Sequence, residues 1–460
     1  MRRPEPPPGP YLIVGLARSG QAAALALRAR GEQVIGLDSG HPPGMDSLAD
    51  AGVELHLGEG DGEGGPLVRR ANTIVKSPGV PTCVPVVQQA LSHGKLVIGE
   101  LELAWRMLAN EFVAVTGTNG KTTTVELIGH IHRVAGAPVA VAGNVGAALS
   151  GFVGRLDAQA TVVCEVSSFQ LEDAIAFAPE VAVLLNVAPD HLDRHGTLAA
   201  YTEAKVRIFA HQQASDVAVL PAGLDVGPIP GAARRVSFGE GADADLSLSE
   251  GTLHWHGDSL LAAGEMKIPG RHNLENAMAA AAACLARGLD PLAVREGLRT
   301  FAGVAHRLEL VAERDGVRYV NDSKATNVAS TLVALDASAG GRSSGQPSAQ
   351  PDQPSAQSSV HLILGGQGKG QDFSALRDAV QRSCRGVYLI GEDAPLIVTA
   401  LAGVQVPVES CGTLEHAVEK ARERAQAGEM VLLSPACASF DQFADYEARG
   451  NRFRELVGAA

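Results

Sequence analysis

Residues 111–124, EFVAVTGTNGKTTT, constrain the fold of this chain more than any other stretch. The apolar, β-branched run at 112–115 predicts a buried strand, and Gly117 and Gly120 permit a tight turn after it. The residues at 121–135 predict a helix. A strand, a glycine loop and a helix N-terminus in this order point backbone N–H groups at a phosphate. We therefore predict that the stretch binds ATP or GTP; the alternative is a chance glycine turn before an ordinary helix.

The side chains of this loop suit a phosphate–magnesium complex. Lys121 can reach the outer phosphates of a nucleotide, and the hydroxyl of Thr122 can bind the Mg²⁺ that accompanies them. The complete Walker pattern has glycine where this chain has Val115. A strand predicted at 161–165 ends in Glu165, the position where such proteins place a carboxylate ligand of Mg²⁺. The predicted nucleotide contacts are Gly117, Thr118, Asn119, Gly120, Lys121, Thr122 and Thr123.

The beginning of the chain predicts a second nucleotide-like site. A strand at 11–15, a helix at 19–30 and a strand at 34–38 form a βαβ unit with glycines at the turn. Ala17 occupies the middle glycine position of the dinucleotide fingerprint, which disfavours NAD and leaves a ligand such as a UDP-sugar. We predict ligand contacts from Ser19, Asp38 and Ser77, because strand ends face the ligand crevice in such sheets. Asp38 has the alternative role of a strand-end turn residue.

Composition limits the class of protein and its partners. A chain of 460 residues with 45% hydrophobic and 19% charged residues predicts a globular protein of several domains. Its net charge of −13 argues against nucleic-acid or anionic-membrane partners. The six cysteines contain no C-x-x-C pair, and no apolar run is long enough to span a membrane. We expect a cytoplasmic monomer without membrane insertion.

Two further residues have possible roles beside the phosphate loop. His191 follows a strand predicted at 181–187 and lies in a loop rich in acidic residues; a lone loop histidine is usually only solvated. Lys205 lies among apolar positions of a predicted amphipathic helix, where a lysine usually extends its amine to solvent.

Four motifs together resemble the Mur ligases of peptidoglycan synthesis: TGTNGKT at 116–122, EVSSFQLE at 165–172, DHLD at 190–193 and the pair Ala204-Lys205. The resemblance implies that Lys205 is carbamylated and that its carbamate and His191 hold a second Mg²⁺. It assigns Thr122 and Glu165 to the first Mg²⁺.

The resemblance also implies an α/β fold of three domains. The N-terminal domain, 1–99, is Rossmann-like and binds the UDP-linked substrate. The central domain, 100–303, is P-loop ATPase-like and binds ATP. The C-terminal domain, 304–460, is Rossmann-like and binds the amino acid. Residues 338–359 are rich in Gly, Ser, Pro and Gln, which predicts a disordered insertion within the last domain.

The motifs DSKATN at 322–327 and SPACAS at 434–439 resemble the members of the family that add D-glutamate to UDP-N-acetylmuramoyl-L-alanine. This chain departs from them in having Gln367 in place of an aspartate and a tyrosine where phenylalanine is frequent. The resemblance implies further substrate contacts: Asn144 and Ser167 with the UDP-linked substrate; Asn273, Arg307, Asp322 and Lys324 with ATP; and Lys324, Thr326, Lys369, Ser439 and Tyr446 with D-glutamate. Asn273 has the alternative role of a helix N-cap.

The implied reaction is amide ligation through an acyl phosphate, in which cations stabilise the transferred charge. Lys121, His191, Lys205 and Arg307 are the implied catalytic residues, and His191 or Asp322 would accept the proton of the incoming ammonium. Closure of the third domain would exclude water from the acyl phosphate. Three alternatives remain: another amino-acid-adding ligase such as folylpolyglutamate synthetase, a nucleotide-binding regulatory module, and a dehydrogenase.

Overall fold

A computed structural model describes residues 3–58, 64–143, 147–241, 243–268, 270–339, 359–368 and 370–458. Asn144, Lys369 and most of the predicted insertion lie outside the described residues. The chain divides into two compact units, Met1–Ala302 and Gly303–Ala460. The first unit contains two sheets and the second contains one, and helices accompany each of these three sheets. No helix among the described residues is both long and apolar enough to cross a membrane.

The first sheet has five parallel strands in the order β3-β2-β1-β4-β5. Apolar side chains are buried on both of its faces, as expected for a parallel sheet covered by helices. The strand order reverses between β1 and β4, and this topological switch point creates a crevice at their carboxyl ends. The elements are β1 Tyr11–Val14, α1 Arg18–Ala29, β2 Val34–Asp38, α2 Met45–Asp50, β3 Glu54–Leu57, α3 Gly65–Arg70, β4 Thr73–Lys76, α4 Pro85–Ser92 and β5 Leu96–Gly99.

The second sheet has nine strands in the order β14-β13-β12-β11-β10-β9-β6-β8-β7, parallel except for the two pairs that involve β13. Because β6 lies between β8 and β9, the loops that follow these three strands meet at one edge of the sheet. The elements are α5 Glu100–Met107, β6 Phe112–Thr116, α6 Lys121–Val134, β7 Val139–Gly143, β8 Thr161–Glu165, α7 Ser168–Glu172, β9 Val181–Leu184, α8 Leu192–His195, α9 Leu198–Val206, β10 Val217–Pro221, β11 Arg234–Glu240, β12 Leu246–Ser249, β13 Thr252–Trp255, β14 Asp258–Ala262, α10 Arg271–Ala286 and α11 Pro291–Thr300.

Helix α10 packs against α6, the helix that begins at the phosphate loop. Every residue of α10 from Asn276 to Leu285 is buried, and six of these ten are alanines, at 277 and 279–283. Small side chains let two helix backbones approach closely. This packing brings the first turns of α10 to the phosphate loop.

The second unit has a six-stranded sheet in the order β15-β16-β20-β17-β18-β19, with only β15 antiparallel to its neighbour. The carboxyl ends of β16, β20 and β17 are adjacent, so the loops at 322–327, 434–439 and 366–368 lie side by side. The elements are β15 Glu309–Arg314, β16 Val317–Asn321, α12 Val328–Ala339, β17 Val360–Gly365, α13 Arg377–Ser383, β18 Cys384–Ile390, α14 Ala394–Ala400, β19 Val408–Gly412, α15 Leu414–Arg424, β20 Met430–Leu433 and α16 Tyr446–Gly458.

Candidate active site

The phosphate loop follows β6, and α6 begins at Lys121, as the sequence predicted. Gly120 has φ +86°, and a Cβ atom there would lie 2.1 Å from Oδ1 of Asn276 on α10. Only glycine satisfies both the left-handed backbone and this close approach. The Lys121 amine donates to the carbonyls of Gly117 and Thr118, each at 3.0 Å. The amine therefore lies over the loop that is predicted to hold phosphates.

Asn186, which sequence reasoning missed, fixes this loop from the segment after β9. Its Oδ1 accepts from the backbone N–H groups of Thr118 (3.1 Å) and Asn119 (2.9 Å), and its Nδ2 donates to the Asn119 carbonyl (3.1 Å). The Thr118 hydroxyl also accepts from the N–H of Ala188 at 3.0 Å. The only signal for Asn186 in the sequence is its place shortly after a buried strand.

Thr122 and Glu165 form the first candidate metal centre. The Thr122 hydroxyl donates to Oε2 of Glu165 at 2.7 Å, and both side chains are buried. Their elements adjoin because β6 pairs with β8. A hydroxyl and a carboxylate this close fit Mg²⁺, which prefers oxygen ligands and commonly takes few from the protein and the rest from phosphate and water. Among the described residues no group of three His, Cys, Asp or Glu side chains could hold a metal ion.

The Lys205 side chain points into the protein. The expectation that a lysine in this position extends its amine to solvent was therefore wrong. It is 1% exposed, its amine donates to the Gly117 carbonyl at 2.8 Å, and it lies 4.3 Å from the centre of the Tyr201 ring. Burial, with a contribution from the nearby charge of Lys121, lowers the pKa of Lys205 from 10.5 to about 7. A large share of this amine is therefore uncharged near neutral pH.

His191 lies near the same tyrosine. Its ring centre is 6.3 Å from that of Tyr201 and 4.9 Å from that of Phe169. The residue has φ +51°, an uncommon backbone conformation for histidine, and Asp190 Oδ1 accepts from its backbone N–H at 2.9 Å. About half of the side chain is exposed. Lys205 and His191, the two residues implied for a second Mg²⁺, thus both lie near the Tyr201 ring.

The crevice of the first sheet brings together the predicted UDP-substrate contacts Ser19 and Ser77. The Ser77 hydroxyl donates to the Gly15 carbonyl at 2.7 Å, and the two serine Oγ atoms are 3.4 Å apart. A Cβ atom on Gly20 would lie 1.9 Å from the same Gly15 carbonyl oxygen, so α1 approaches the turn closely only because residue 20 is glycine.

Asp38 holds this turn through backbone groups. Its Oδ2 accepts from the N–H of Leu16 at 2.6 Å and its Oδ1 accepts from the N–H of Gly40 at 2.8 Å. The structure therefore supports its alternative role as a turn residue, and a ligand contact stays a prediction. Ser167, on the central domain, caps α7 in a capping box with Gln170.

Asn273 does not cap α10, because Gly270 occupies the N-cap position. The alternative interpretation of Asn273 was therefore wrong, and its nucleotide contact stays a prediction. Asn276, one turn further along the helix, is the residue that contacts Gly120. The alanine-rich sequence predicted the helix, but only the position of the helix in the fold showed which asparagine reaches the loop.

In the second unit, Asp322 is buried at the end of β16. Its Oδ2 accepts from the Ser434 hydroxyl at 2.8 Å and its Oδ1 accepts from the N–H of Leu308 at 3.2 Å. Burial raises the pKa of Asp322 to about 7, against the opposing effects of these bonds and of the Arg307 charge. The carboxyl group is therefore partly protonated near neutral pH.

The predicted D-glutamate contacts surround a buried arginine that the sequence did not reveal. Arg449 on α16 is 1% exposed and donates to the Ser323 hydroxyl (2.9 Å) and to the carbonyls of Ser323 (2.8 Å) and Cys437 (3.1 Å). It thereby fixes the 322–327 loop to the 434–439 loop. Lys324 lies in the first loop, with its amine 5.8 Å from the Tyr446 ring centre.

The remaining predicted residues of this unit lie in the same loops. Ser439 is buried at the end of the 434–439 loop, and Thr326 lies two residues before α12. Gln367 exchanges two backbone hydrogen bonds of 2.9 Å with Ala438, so its backbone joins the 366–368 and 434–439 loops although its side chain lacks the charge of an aspartate.

A phosphate loop, an adjacent Thr–Glu pair and a buried lysine amine together are typical of an enzyme that binds a nucleotide with Mg²⁺. Three family descriptions match consecutive parts of the chain: Mur ligase MurD-like, N-terminal domain, at residues 10–99; Mur ligase middle domain, at 115–284; and Mur ligase, glutamate ligase domain, at 306–437. The chain belongs to the Mur ligase family.

Two relatives with similar sequences share one name within that family. The chain is 42% identical over 461 residues to a UDP-N-acetylmuramoylalanine--D-glutamate ligase of Pelotomaculum thermopropionicum, with 97% of this chain and 96% of the relative covered. A ligase of the same name from Myxococcus xanthus is 41% identical over 466 residues, with 97% and 98% covered.

Solved structures share the fold. The UDP-N-acetylmuramate-alanine ligase MurC of Thermotoga maritima gives a TM-score of 0.59 at 19% identity, covering 98% of this chain and 99% of that one. MurF of Acinetobacter baumannii gives 0.59 at 18% identity, covering 96% and 93%. These likenesses support the three-domain α/β architecture.

Proposed function

We propose that this chain joins the amino group of D-glutamate to the carboxylate of UDP-N-acetylmuramoyl-L-alanine at the expense of ATP, in the cytoplasmic synthesis of peptidoglycan precursors. One observation carries the proposal: the amines of Lys121 and Lys205 both donate to the Gly117 carbonyl of the phosphate loop, and Thr122 at the end of that loop donates to Glu165 of β8. The relatives' name supplies the two substrates.

The reaction requires activation because a carboxylate would have to expel oxide. Transfer of the γ-phosphoryl group of ATP to the carboxylate oxygen gives ADP and an acyl phosphate. The amine of D-glutamate then attacks the acyl carbon, the C–O bond to phosphate breaks, and the ammonium proton passes to a base. Lys121 and Arg307 would neutralise the transferred charge. Mg²⁺, held by Thr122, Glu165 and phosphate oxygens, would supply further charge neutralisation.

We further propose that Lys205 is carbamylated. The uncharged amine attacks CO₂, an N–C bond forms, and one proton is lost to solvent. The pKa of about 7 supports this step, because only the neutral amine is a nucleophile. The product places an anion where the buried neutral amine stood, and this anion could bind a second Mg²⁺ together with His191.

Asp322 is our choice for the base that receives the ammonium proton. Its pKa of about 7 matches the operating pH of a general base, whereas an ordinary carboxylate is too weak a base for this task. His191 stays the alternative. The substrate contacts that the sequence predicted complete the proposal: Ser19, Asp38, Ser77, Asn144 and Ser167 for the UDP-linked substrate; Asn273, Arg307, Asp322 and Lys324 for ATP; and Lys324, Thr326, Lys369, Ser439 and Tyr446 for D-glutamate.

Phosphate release from ATP tests this function. The assay contains UDP-N-acetylmuramoyl-L-alanine and, in turn, D-glutamate, L-glutamate, L-lysine or diaminopimelate. We expect release with D-glutamate alone. Lys121→Ala should abolish release, whereas Lys420→Ala, which removes an exposed amine on α15, should not change it. Release with a different amino acid would preserve the ligase chemistry and overturn the substrate assignment. No release with any amino acid would overturn the ligase itself.

A further inference from the structure

The segment that follows His191 forms three contacts through one side chain. The Arg194 guanidinium donates to Oε2 of Glu172 at 2.8 Å and to the carbonyl of Pro78 at 3.2 Å. Its central carbon also lies 3.9 Å from the centre of the Phe169 ring. Glu172 and Phe169 belong to α7 of the central domain, whereas Pro78 belongs to the N-terminal domain. Arg194 therefore joins the two domains of the first unit.

Pro78 lies in the turn at 77–80, which follows β4 at the crevice of the first sheet. The same turn is held from its other end: the Lys76 amine donates to the Val80 carbonyl at 2.8 Å and pairs with Asp173 at 2.7 Å. Glu172 and Asp173 are consecutive at the end of α7. Both ends of the turn are thus fixed to one point of the central domain, and Arg194 forms one of the two links.

The opposite side of this network faces His191. Glu172 Oε1 lies 3.2 Å from Nδ1 of His195, and the other ring nitrogen of His195 lies 3.0 Å from the Ser168 hydroxyl. The Phe169 ring, which the Arg194 guanidinium covers, contacts both histidine rings. A displacement of Arg194 would therefore affect the supports of His191 as well as the turn at 77–80.

We propose that Arg194, paired with Glu172, is a positioning residue that fixes the UDP-substrate turn at 77–80 relative to the His191 segment. This inference rests on the proposed function, because it assumes that the UDP-linked substrate binds at this turn. A planar guanidinium can donate to a carboxylate and a carbonyl simultaneously while it covers an aromatic ring. Lysine has a single ammonium group and cannot reproduce this arrangement. Arg194 is 19% exposed and Glu172 is 28% exposed, so the ion pair is largely shielded from solvent.

Steady-state kinetics of Arg194→Lys and Arg194→Ala test the proposal. We expect both variants to raise the KM for UDP-N-acetylmuramoyl-L-alanine by about tenfold, since each loses a charge-assisted hydrogen bond to the turn. The KM for ATP should stay within about twofold, because the described contacts of the Arg194 guanidinium are with Glu172, Pro78 and Phe169 and not with the phosphate loop. Glu172→Gln, which keeps an acceptor for Arg194, should have a smaller effect.

Arg207→Ala provides a matched control. Arg207 is an exposed arginine that donates to the backbone carbonyl of the same Glu172 at 3.1 Å. This variant should keep the wild-type KM for all three substrates. Melting temperatures of all variants would show whether the fold is intact.

The outcomes separate the possible explanations. A lower melting temperature with an unchanged KM for the UDP-linked substrate would reduce Arg194 to a structural residue and overturn the proposal. An equal rise in all three KM values would overturn it as well. If the wild-type enzyme forms no product, the proposed function fails. Calorimetric binding of UDP-N-acetylmuramoyl-L-alanine to the wild type and to Arg194→Lys then decides: weaker binding by the variant supports the positioning role, and equal or absent binding overturns it.

Discussion

Replacement of Lys205 by methionine should change the pH dependence of stability. In the folded protein the pKa of Lys205 is about 7, whereas the ordinary value is 10.5. Between these values the unfolded chain binds a proton that the folded chain does not. The free energy of unfolding therefore rises with pH through this interval. Below about pH 7 both states hold the proton, so Lys205 adds no pH dependence there. Methionine has a similar length and no charge, so the variant lacks this contribution.

The magnitude follows from the shift. Between pH 6 and pH 9 the folded amine loses its proton while the unfolded amine keeps it, which is worth about 3 kcal/mol at roughly 1.4 kcal/mol per pH unit above pH 7. Wild type should gain this much more stability than Lys205→Met over the interval. Other titrating groups are common to both proteins and cancel in the comparison.

Urea unfolding at pH 6 and pH 9, in buffers free of CO₂ so that no carbamate forms, measures the difference. The two tryptophans, Trp105 and Trp255, both lie in the same unit as Lys205, so their fluorescence reports on the relevant unfolding. Lys267→Met, which replaces an exposed lysine of that unit, is the matched control and should behave as wild type. Equal pH dependence in wild type and Lys205→Met would refute the lowered pKa and with it the argument for carbamylation. Addition of ¹³C-bicarbonate should give a carbamate resonance in wild type and none in the variant.

Three further substitutions test the geometry of the sites. Gly120→Ala should abolish ATP turnover, because the new Cβ would lie 2.1 Å from Oδ1 of Asn276. Gly136 has a similar φ and nothing within 4 Å of a Cβ, so Gly136→Ala should keep turnover and lower the free energy of unfolding in urea by about 1 kcal/mol. Wild type should lose stability as pH rises from about 4 to 7, because the folded Asp322 carboxyl, with its pKa near 7, holds a proton that the unfolded carboxyl releases. Asp322→Asn should remove this loss. Hydrogen exchange of β16 would measure the stability, and an unchanged pH dependence in the variant would contradict the argument. Gly20→Ala should raise the KM for the UDP-linked substrate far more than that for ATP, since its Cβ would meet the Gly15 carbonyl at 1.9 Å; equal effects on the two KM values would contradict a substrate site at this turn.

The sequence by itself determined the local elements that carry the chemistry. The strand before the phosphate loop, the helix that begins at Lys121 and the strand that ends in Glu165 were all predicted, because each depends on residues that are neighbours in the chain. The glycine turns and the βαβ unit at the start of the chain could be predicted for the same reason.

Only the tertiary structure decided which distant side chains fix these elements. Asn186, Asn276, Arg194 and Arg449 have no local signature, because an isolated asparagine or arginine in a sequence is indistinguishable from an ordinary surface residue. Their partners lie tens to more than a hundred positions away and become neighbours through sheet order and helix packing. The direction of the Lys205 amine was likewise undetermined, because an amphipathic pattern shows which face of a helix is apolar but does not show whether a cation on it reaches solvent or a buried carbonyl.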